Sequence, residues 1–237
     1  MTRTTVKARV DARTVIIPAG VMLPGDLSLP PDAKGIVVFA HGSGSSRMSP
    51  RNKRVAARLQ QGGFATLLFD LLTSDEESLD AVTGRLRFDV PMLAERLAKA
   101  TEWLGSQPVT QGLGVGYFGA STGAAAALVA AAALPSHVRA VVSRGGRPDL
   151  AGPYLGRVMA PTLLIVGGND APVIGMNQSA LRQLASATKQ LVIGPGATHL
   201  FEEPGTLERV SDLALEWFER HLAGVRSSSE VSATVSR

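Results

Sequence analysis

The 237-residue chain contains no cysteine, few aromatic residues and no strong excess of one charge. The absence of cysteine excludes disulfides, thiol catalysis and Cys-ligated metal sites, and it fits a reducing compartment such as the cytosol. Aromatic residues make up 5% of the chain, and 24 Lys and Arg stand against 20 Asp and Glu. The basic residues are scattered, so we predict that the protein does not bind nucleic acid, which requires clustered basic residues.

Long apolar runs are also missing. The longest run, 124–134, is far shorter than the ~20 residues that a membrane-spanning helix needs. The N-terminal segment 1–15 carries charges throughout and has no apolar stretch, so it does not have the pattern of a secretion signal. We therefore predict a cytoplasmic protein without a membrane partner, and the sequence leaves its oligomeric state open.

What the chain does contain is an alternation of short β-like runs with helix-like segments. Continuously apolar runs, typical of buried parallel strands, occur at 36–40, 65–69, 113–118, 138–142, 162–166 and 190–193. Helical patterns occur at 52–61, 88–103, around 180–185 and at 207–222. This order predicts an α/β fold with a mostly parallel, twisted sheet and helices on both faces.

The remaining segments set the expected boundaries of this fold. Residues 14–18 and 21–29 surround a Pro-Ala-Gly turn and should form an antiparallel hairpin at the edge of the sheet. The non-periodic segment 71–87 leaves the end of a strand and should overhang the edge where ligands bind, without forming a large cap. We expect one domain over 1–223 and a disordered, Ser-rich tail over 224–237.

A G-x-S-x-G pentapeptide, Gly119-Ala120-Ser121-Thr122-Gly123, lies between an apolar strand-like run and an Ala-rich helix-like run. In that context the serine occupies a sharp turn that exposes its hydroxyl at the carboxyl edge of the sheet. Glycine on both sides allows the tight turn and the close approach of helix and strand. The motif therefore predicts Ser121 as a nucleophile.

Position along the predicted sheet separates the four histidines. His199 follows the last strand in a glycine-rich loop, which places it at the carboxyl edge near Ser121. His221 ends the final helix, His137 precedes a strand at the opposite edge, and His41 comes before the serine in the chain. We therefore predict that His199 is the general base.

The base needs an acid that holds it in one tautomer. Asp170 ends the turn after strand 162–166, which is the strand before the one that leads to His199. Asp149, one strand earlier, is an alternative, whereas Asp70 is expected to be structural. The order Ser121, Asp170, His199 is that of the α/β-hydrolases.

The oxyanion needs backbone N–H donors. The Thr122 N–H opens the helix after the nucleophile, and a glycine-rich loop, 41–46, leaves a neighbouring strand. We predict Ser43 N–H as the second donor, with Gly44 as the alternative. His41 and Gly42, at the start of this loop, are expected to contact substrate.

A G-x-G-x-x-G match at 114–119 does not indicate a dinucleotide site. Its first two glycines lie inside the strand-like run rather than in the turn, and no acidic residue ends a strand about 20 residues later. No G-K-[ST] motif indicates a phosphate-binding loop either. We predict no metal and no organic cofactor.

Taken together, the stretches 41–46, 70–73, 119–123 and 167–170 resemble the dienelactone-hydrolase-like branch of the α/β-hydrolases, over about residues 13–223. Members of that branch typically lack a large cap and hydrolyse small esters or lactones. Dienelactone hydrolases proper use a cysteine nucleophile, whereas this chain has Ser121. The resemblance therefore implies a serine esterase acting on a small-molecule ester.

Two further classes of function and one substrate preference follow from the same residues. A hydrolase fold that only binds a ligand would keep the core without the triad, and an acyltransferase or peptidase would use the same triad. Arg144 and Arg147 follow a strand near the expected site, and Arg51 opens the helix after the glycine-rich loop. They could bind a substrate carboxylate, although solvated surface arginines are the alternative.

Overall fold

The structure, a computed structural model, describes residues 10–223; the tail predicted at 224–237 lies outside the described residues. Its sheet has eight strands in the order β1-β2-β4-β3-β5-β6-β7-β8. Strands β3 to β8 run parallel, whereas β2 pairs antiparallel with both β1 and β4. The strands are β1 Asp11–Pro18, β2 Met22–Leu29, β3 Ile36–Ala40, β4 Ala65–Phe69, β5 Val115–Ala120, β6 Val138–Arg144, β7 Thr162–Gly167 and β8 Lys189–Gly194.

Helices cover both faces of this sheet. One apolar core contains residues of α3, α4 and α5, and the other contains residues of α1 and α6. The bounds are α1 Pro50–Gln61, α2 Ser74–Thr83, α3 Val90–Ser106, α4 Thr122–Ala133, α5 Ala171–Gln183 and α6 Thr206–His221. Two 3₁₀ segments, Leu86–Phe88 and Pro148–Arg157, complete the chain order. None of the helices within residues 10–223 is long and apolar enough to cross a bilayer.

The continuous apolar runs form the strands because both faces of the sheet are covered. Every residue of β3, β4, β5 and β7 is buried. Helix α4 is almost entirely buried as well, since small alanine side chains let it pack between the sheet and the neighbouring elements. The predicted fold class is confirmed: the described residues have an α/β-hydrolase fold without a large cap.

The structure corrects the sequence interpretation at two places. The segment 71–87 contains helix α2, which begins with a capping box in which Thr73 and Glu76 each bond the other's backbone N–H, at 3.3 and 2.8 Å. That Thr-x-x-Glu signal was present in the sequence. The pattern predicted around 180–185 overlaps only the end of α5, which runs from Ala171 to Gln183. The buried face of this helix consists of Val173, Asn177 and Ala180, so a polar residue interrupts its apolar pattern.

Candidate active site

Ser121 has a left-handed backbone, with φ 51° and ψ −122°, at the junction of β5 and α4. An L-residue with a side chain adopts this conformation only where the surroundings impose it. Here the Ser121 N–H donates to the Arg144 carbonyl at 3.2 Å, while its own carbonyl accepts the Ala124 and Arg147 N–H groups at 3.1 and 3.0 Å. Three backbone hydrogen bonds therefore fix the serine in a strained turn.

The two glycines of the pentapeptide are required by this packing. A Cβ at Gly119 would overlap the Cα of Ala124, and a Cβ at Gly123 would overlap the carbonyl oxygens of Ala40 and His41. The first residues of α4 thus pass directly against β5 and against the end of β3. Any side chain at either glycine would move the serine away from the edge of the sheet.

His199 and Asp170 form a direct hydrogen bond. His199 Nδ1 lies 2.6 Å from Asp170 Oδ2, and the Asp170 side chain is 13% exposed. The short distance suits donation from Nδ1–H to a carboxylate, which leaves Nε2 as the proton acceptor. Asp170 follows the end of β7 immediately before α5, and His199 lies in the loop after β8, so the carboxyl ends of two adjacent strands supply the pair.

The end of β6 and the short loop after it contact both the histidine and the serine. Gly145 lies against the His199 ring: a Cβ added to this glycine would be 3.5 Å from Nδ1. The preceding residue, Arg144, accepts the Ser121 N–H through its carbonyl. Within residues 10–223 no hydrogen bond joins the Ser121 and His199 side chains. We expect that bond to form with substrate, because catalytic hydrogen bonds commonly tighten in the complex.

The two alternative acids make other contacts. Asp149 binds the Arg147 guanidinium at 2.7 and 2.9 Å. Asp70 accepts the Arg47 N–H at 2.7 Å and pairs with the guanidinium of the same residue. Asp70 thus holds the glycine-rich loop against β4, a structural contact as the sequence predicts.

The glycine-rich loop approaches Ser121 through Gly42 rather than through Ser43, the residue predicted to donate to the oxyanion. The Ser43 N–H donates to Thr122 Oγ1 at 3.0 Å, so this donor already has an acceptor. Gly42 comes closer to the nucleophile, since a Cβ there would lie 3.0 Å from the Ser121 Cβ. Neither the Gly42 N–H nor the Thr122 N–H makes a hydrogen bond within the described chain. These two N–H groups are therefore available where Ser43 is not.

His41 connects the loop to the segment that overhangs it. Its Nε2 accepts the Leu71 N–H at 2.9 Å, and Nδ1 lies 3.0 Å from the Gly42 carbonyl, to which it donates. Burial lowers the pKa of His41, in keeping with a neutral ring in this arrangement. Both ring nitrogens are thus engaged in positioning the backbone, although the residue also borders the cleft.

A cleft of about 300 Å³ opens beside Gly42 and Thr122. Helix α2 and its flanking residues overhang it, and the polar loop 41–46 forms its floor. Its other wall residues are Leu71, Leu72, Glu77, Asp80, Ala81, Arg87 and Leu93. Asp80 pairs with Arg87 within this wall. The pKa of Glu77 is raised by partial burial and by the neighbouring Asp70.

The two arginines predicted to bind substrate differ in their surroundings. Arg147 is held by Asp149, and that hydrogen bond raises its pKa, so its charge is already balanced. Arg144 is 6% exposed and has no carboxylate within 4 Å among residues 10–223. The structure therefore separates two residues that the sequence treats alike.

Asn177, on α5, is a site residue that the sequence analysis missed. Its side-chain amide is fully buried and donates to the Gly146 carbonyl at 3.0 Å. This contact holds the loop 145–147, in which Gly145 lies against His199 and the Arg147 N–H donates to the Ser121 carbonyl. A lone Asn inside a helix pattern gives no sequence signal for such a role. No cluster of potential metal ligands occurs in the described part of the chain.

The fold and this site together define a protein of the α/β-hydrolase class. The chain belongs to the dienelactone hydrolase family, whose sequence model matches residues 23–222. The crystal structure of a dienelactone hydrolase from Anabaena variabilis ATCC 29413 is 60% identical, with a TM-score of 0.88, over 90% of this chain and 99% of that one. The family resemblance predicted from the sequence is confirmed.

Two other relatives extend the comparison. A Mycobacterium tuberculosis (strain H37Rv) protein named "Putative phosphoribosyl transferase" is 58% identical over 214 residues, which are 90% of this chain and 47% of the relative. The chain thus spans about half the length of this curated relative. Est1E from Butyrivibrio proteoclasticus, 15% identical, shares the fold with a TM-score of 0.72 over 87% of this chain and 98% of that one. Family membership supports hydrolase activity.

Proposed function

We propose that this protein is a serine hydrolase that cleaves small carboxylic esters through an acyl-enzyme. The strained backbone of Ser121 carries this proposal, because it costs stability and has a use in presenting a nucleophile. The bond between His199 Nδ1 and Asp170 Oδ2 at 2.6 Å supports it. These features favour a hydrolase over a fold that only binds a ligand, because such a fold has no use for the strain or the pairing.

In the proposed reaction, Ser121 Oγ attacks the ester carbonyl while His199 Nε2 takes the hydroxyl proton. The protonated imidazole, stabilised by Asp170, then gives that proton to the leaving alcohol as the ester C–O bond breaks. Water enters, loses a proton to the same nitrogen and attacks the acyl-enzyme, which releases the acid and restores the serine hydroxyl.

For the oxyanion we propose the N–H groups of Thr122 and Gly42, in place of Thr122 and Ser43. Both proposed donors lack an acceptor within residues 10–223, and both border the cleft. Ser43 has a different part: it anchors the loop to Thr122 through its N–H and through an Oγ–Oγ1 contact of 2.9 Å. Donors that are fixed before reaction stabilise developing charge without reorganisation.

The cleft favours short acyl groups. Its volume of about 300 Å³ is at the lower end of ligand sites, and the segment over it contains one short helix, α2. An acyl chain that extends into solvent forfeits about 0.8 kcal/mol for each methylene left unburied. We therefore expect short p-nitrophenyl esters to be preferred by roughly tenfold or more over long ones.

Labelling with a fluorophosphonate followed by product analysis tests the proposal. An activated serine should react, and the label should map to Ser121, whereas a protein that only binds ligands would remain unlabelled. Panels of esters, amides and acyl acceptors would then separate an esterase from a peptidase or an acyltransferase. The name of the mycobacterial relative makes a phosphoribosyl donor a useful addition to the panel. Transfer from that donor without ester cleavage would contradict the proposal.

A further inference from the structure

Arg144 is a buried charge without a counterion. Its side chain lies at the end of β6, the residue is 6% exposed, and its Nε has no hydrogen-bond partner within residues 10–223. Its guanidinium makes one hydrogen bond to the described residues, from Nη1 to the Leu200 carbonyl, and at 3.5 Å this bond is too weak to replace the hydration of a guanidinium. An ion in this state costs stability unless a ligand completes its surroundings.

Other arginines near the site have the counterion that Arg144 lacks. Arg96 binds Glu76 with both terminal nitrogens, at 2.7 and 2.6 Å, and Arg47, Arg87 and Arg147 each pair with an aspartate. Each of these four arginines is therefore held by a carboxylate of the chain, whereas Arg144 is not.

A second arginine adds positive charge to the same place. Arg51, at the start of α1, lies close enough to Arg144 to act on its charge, and burial together with this neighbour lowers the pKa of Arg144 to about 10. One terminal nitrogen of Arg51 binds Glu202 at 2.8 Å, but its Nε is also buried without a partner. The two guanidiniums thus have unpaired donors, and Glu202 is the one acidic side chain that binds either of them among residues 10–223.

This charge lies next to the proposed catalytic residues. The Arg144 carbonyl accepts the Ser121 N–H, and Leu200, which Arg144 contacts, directly follows His199. Phe201, between the two contact residues Leu200 and Glu202, has a positive φ of 57° although it is neither glycine nor asparagine. A strained segment attached to both arginines therefore follows the histidine.

We propose that Arg144 and Arg51 form a subsite for an anionic oxygen group, carboxylate or phosphate, on the substrate of the neighbouring serine. Planar guanidiniums suit these groups because they donate paired, charge-assisted hydrogen bonds. The subsite rests on the proposed ester hydrolysis, and it makes acidic esters the preferred substrate class. Arg147, which the sequence analysis paired with Arg144, is not part of it, because Asp149 already balances its charge.

A matched pair of esters tests this preference. Mono-p-nitrophenyl glutarate and p-nitrophenyl pentanoate have acyl chains of equal length, and only the first carries a carboxylate. We expect the wild-type kcat/KM to favour the acidic ester by about tenfold or more at low salt, and the preference to shrink toward 1 M salt. Arg144→Met should bring the ratio of the two kcat/KM values toward one, because the loss of charge-assisted hydrogen bonds falls on the acidic ester.

Arg54→Met is the control, because it removes an arginine from the same helix as Arg51, where Glu208 pairs with it on the exposed surface. It should leave the preference for the acidic ester unchanged. Equal kcat/KM values for both esters in the wild type would overturn the subsite. So would an equal loss of activity on both esters in Arg144→Met, since that would mean the arginine only supports the Leu200 loop. If Arg144→Met does not fold, Arg51→Met answers the same question.

Direct binding separates failure of the subsite from failure of the proposed hydrolysis. The thermal unfolding midpoint of Ser121→Ala is measured with glutarate or with inorganic phosphate; a rise that disappears in Ser121→Ala/Arg144→Met supports the subsite even if no ester is cleaved. Stabilisation by phosphate alone, with no preference for the acidic ester, would overturn the assignment to a substrate group. Ester turnover with no stabilisation by either anion and no preference would overturn the subsite alone.

Discussion

Replacing Ser121 by glycine and by alanine should have different effects on stability and the same effect on activity. The serine has φ 51° and ψ −122°, a conformation that glycine adopts readily and that any residue with a Cβ adopts at a cost. Ser121→Ala keeps the Cβ and therefore the strain, and loses only the hydroxyl. Ser121→Gly loses both, so the difference between the variants isolates the strain in the turn.

The magnitude follows from two opposing contributions. Backbone strain of this kind costs about 1–3 kcal/mol, and glycine returns about 0.5–1 kcal/mol of that through the greater entropy of its unfolded chain. We expect Ser121→Gly to be more stable than Ser121→Ala by about 1 kcal/mol. For a domain of this size that corresponds to a difference of about 2–4 °C in the unfolding midpoint.

Calorimetry and urea unfolding of the two variants, beside the wild type, measure this difference. Ester turnover should fall by about 10⁴-fold or more in both, as for loss of a triad member. Equal stability of the variants would show that the turn is not strained and would remove the observation on which the proposed nucleophile rests. Retention of more than about a tenth of wild-type activity in Ser121→Ala would contradict its role directly.

Further predictions concern the acid and the helix over the cleft. Asp170→Asn should reduce ester turnover by about 10⁴-fold by favouring the wrong tautomer of His199, whereas Asp149→Asn should be mild; kinetics showing the reverse would move the acid one strand earlier. Glu76→Gln should lower the free energy of unfolding at pH 7 by roughly 2–3 kcal/mol, because it leaves the buried Arg96 unpaired. Since Arg96 holds the pKa of Glu76 below its usual value, the loss should be full above about pH 4.5 and fade as the pH falls through the lowered pKa; urea titrations that show no such fading would refute the pairing.

The positions of the strands and of the candidate site residues along the chain could be predicted because their causes are local. A buried parallel strand must be apolar along its whole length, so β3, β4, β5 and β7 are visible as continuous runs. The turn at Ser121 leaves room for only small neighbours, and this demand appears in the sequence as flanking glycines. The carboxyl ends of parallel strands lie at one edge, which is why chain position alone brought His199 and Asp170 together.

Features that depend on contacts distant in sequence were less predictable. Helix α2 has weak apolar periodicity, and a salt bridge from Arg96 on α3 holds it in place. The choice of oxyanion donor depends on Thr122 Oγ1, which accepts a hydrogen bond from the Ser43 N–H, 79 residues earlier in the chain. A glycine-rich loop indicates that N–H groups turn inward, but only the fold determines which of them keeps no acceptor.

Arg144 and Arg147 show how two similar residues acquire different chemistry. Arg147 lies after the strand, where it can fold back onto Asp149 two residues later, and such a local pair leaves the charge satisfied. Arg144 is still part of β6, and strand alternation places it on the face of Ala140 and Val142, whose side chains belong to the apolar core beneath α1 and α6. A charged residue on the same face as these apolar side chains is buried because the pleat of the strand directs its side chain into the core. Among the described residues no carboxylate lies within 4 Å of the Arg144 guanidinium. The proposed subsite takes its counterion from the substrate, and the matched esters test whether the substrate supplies it.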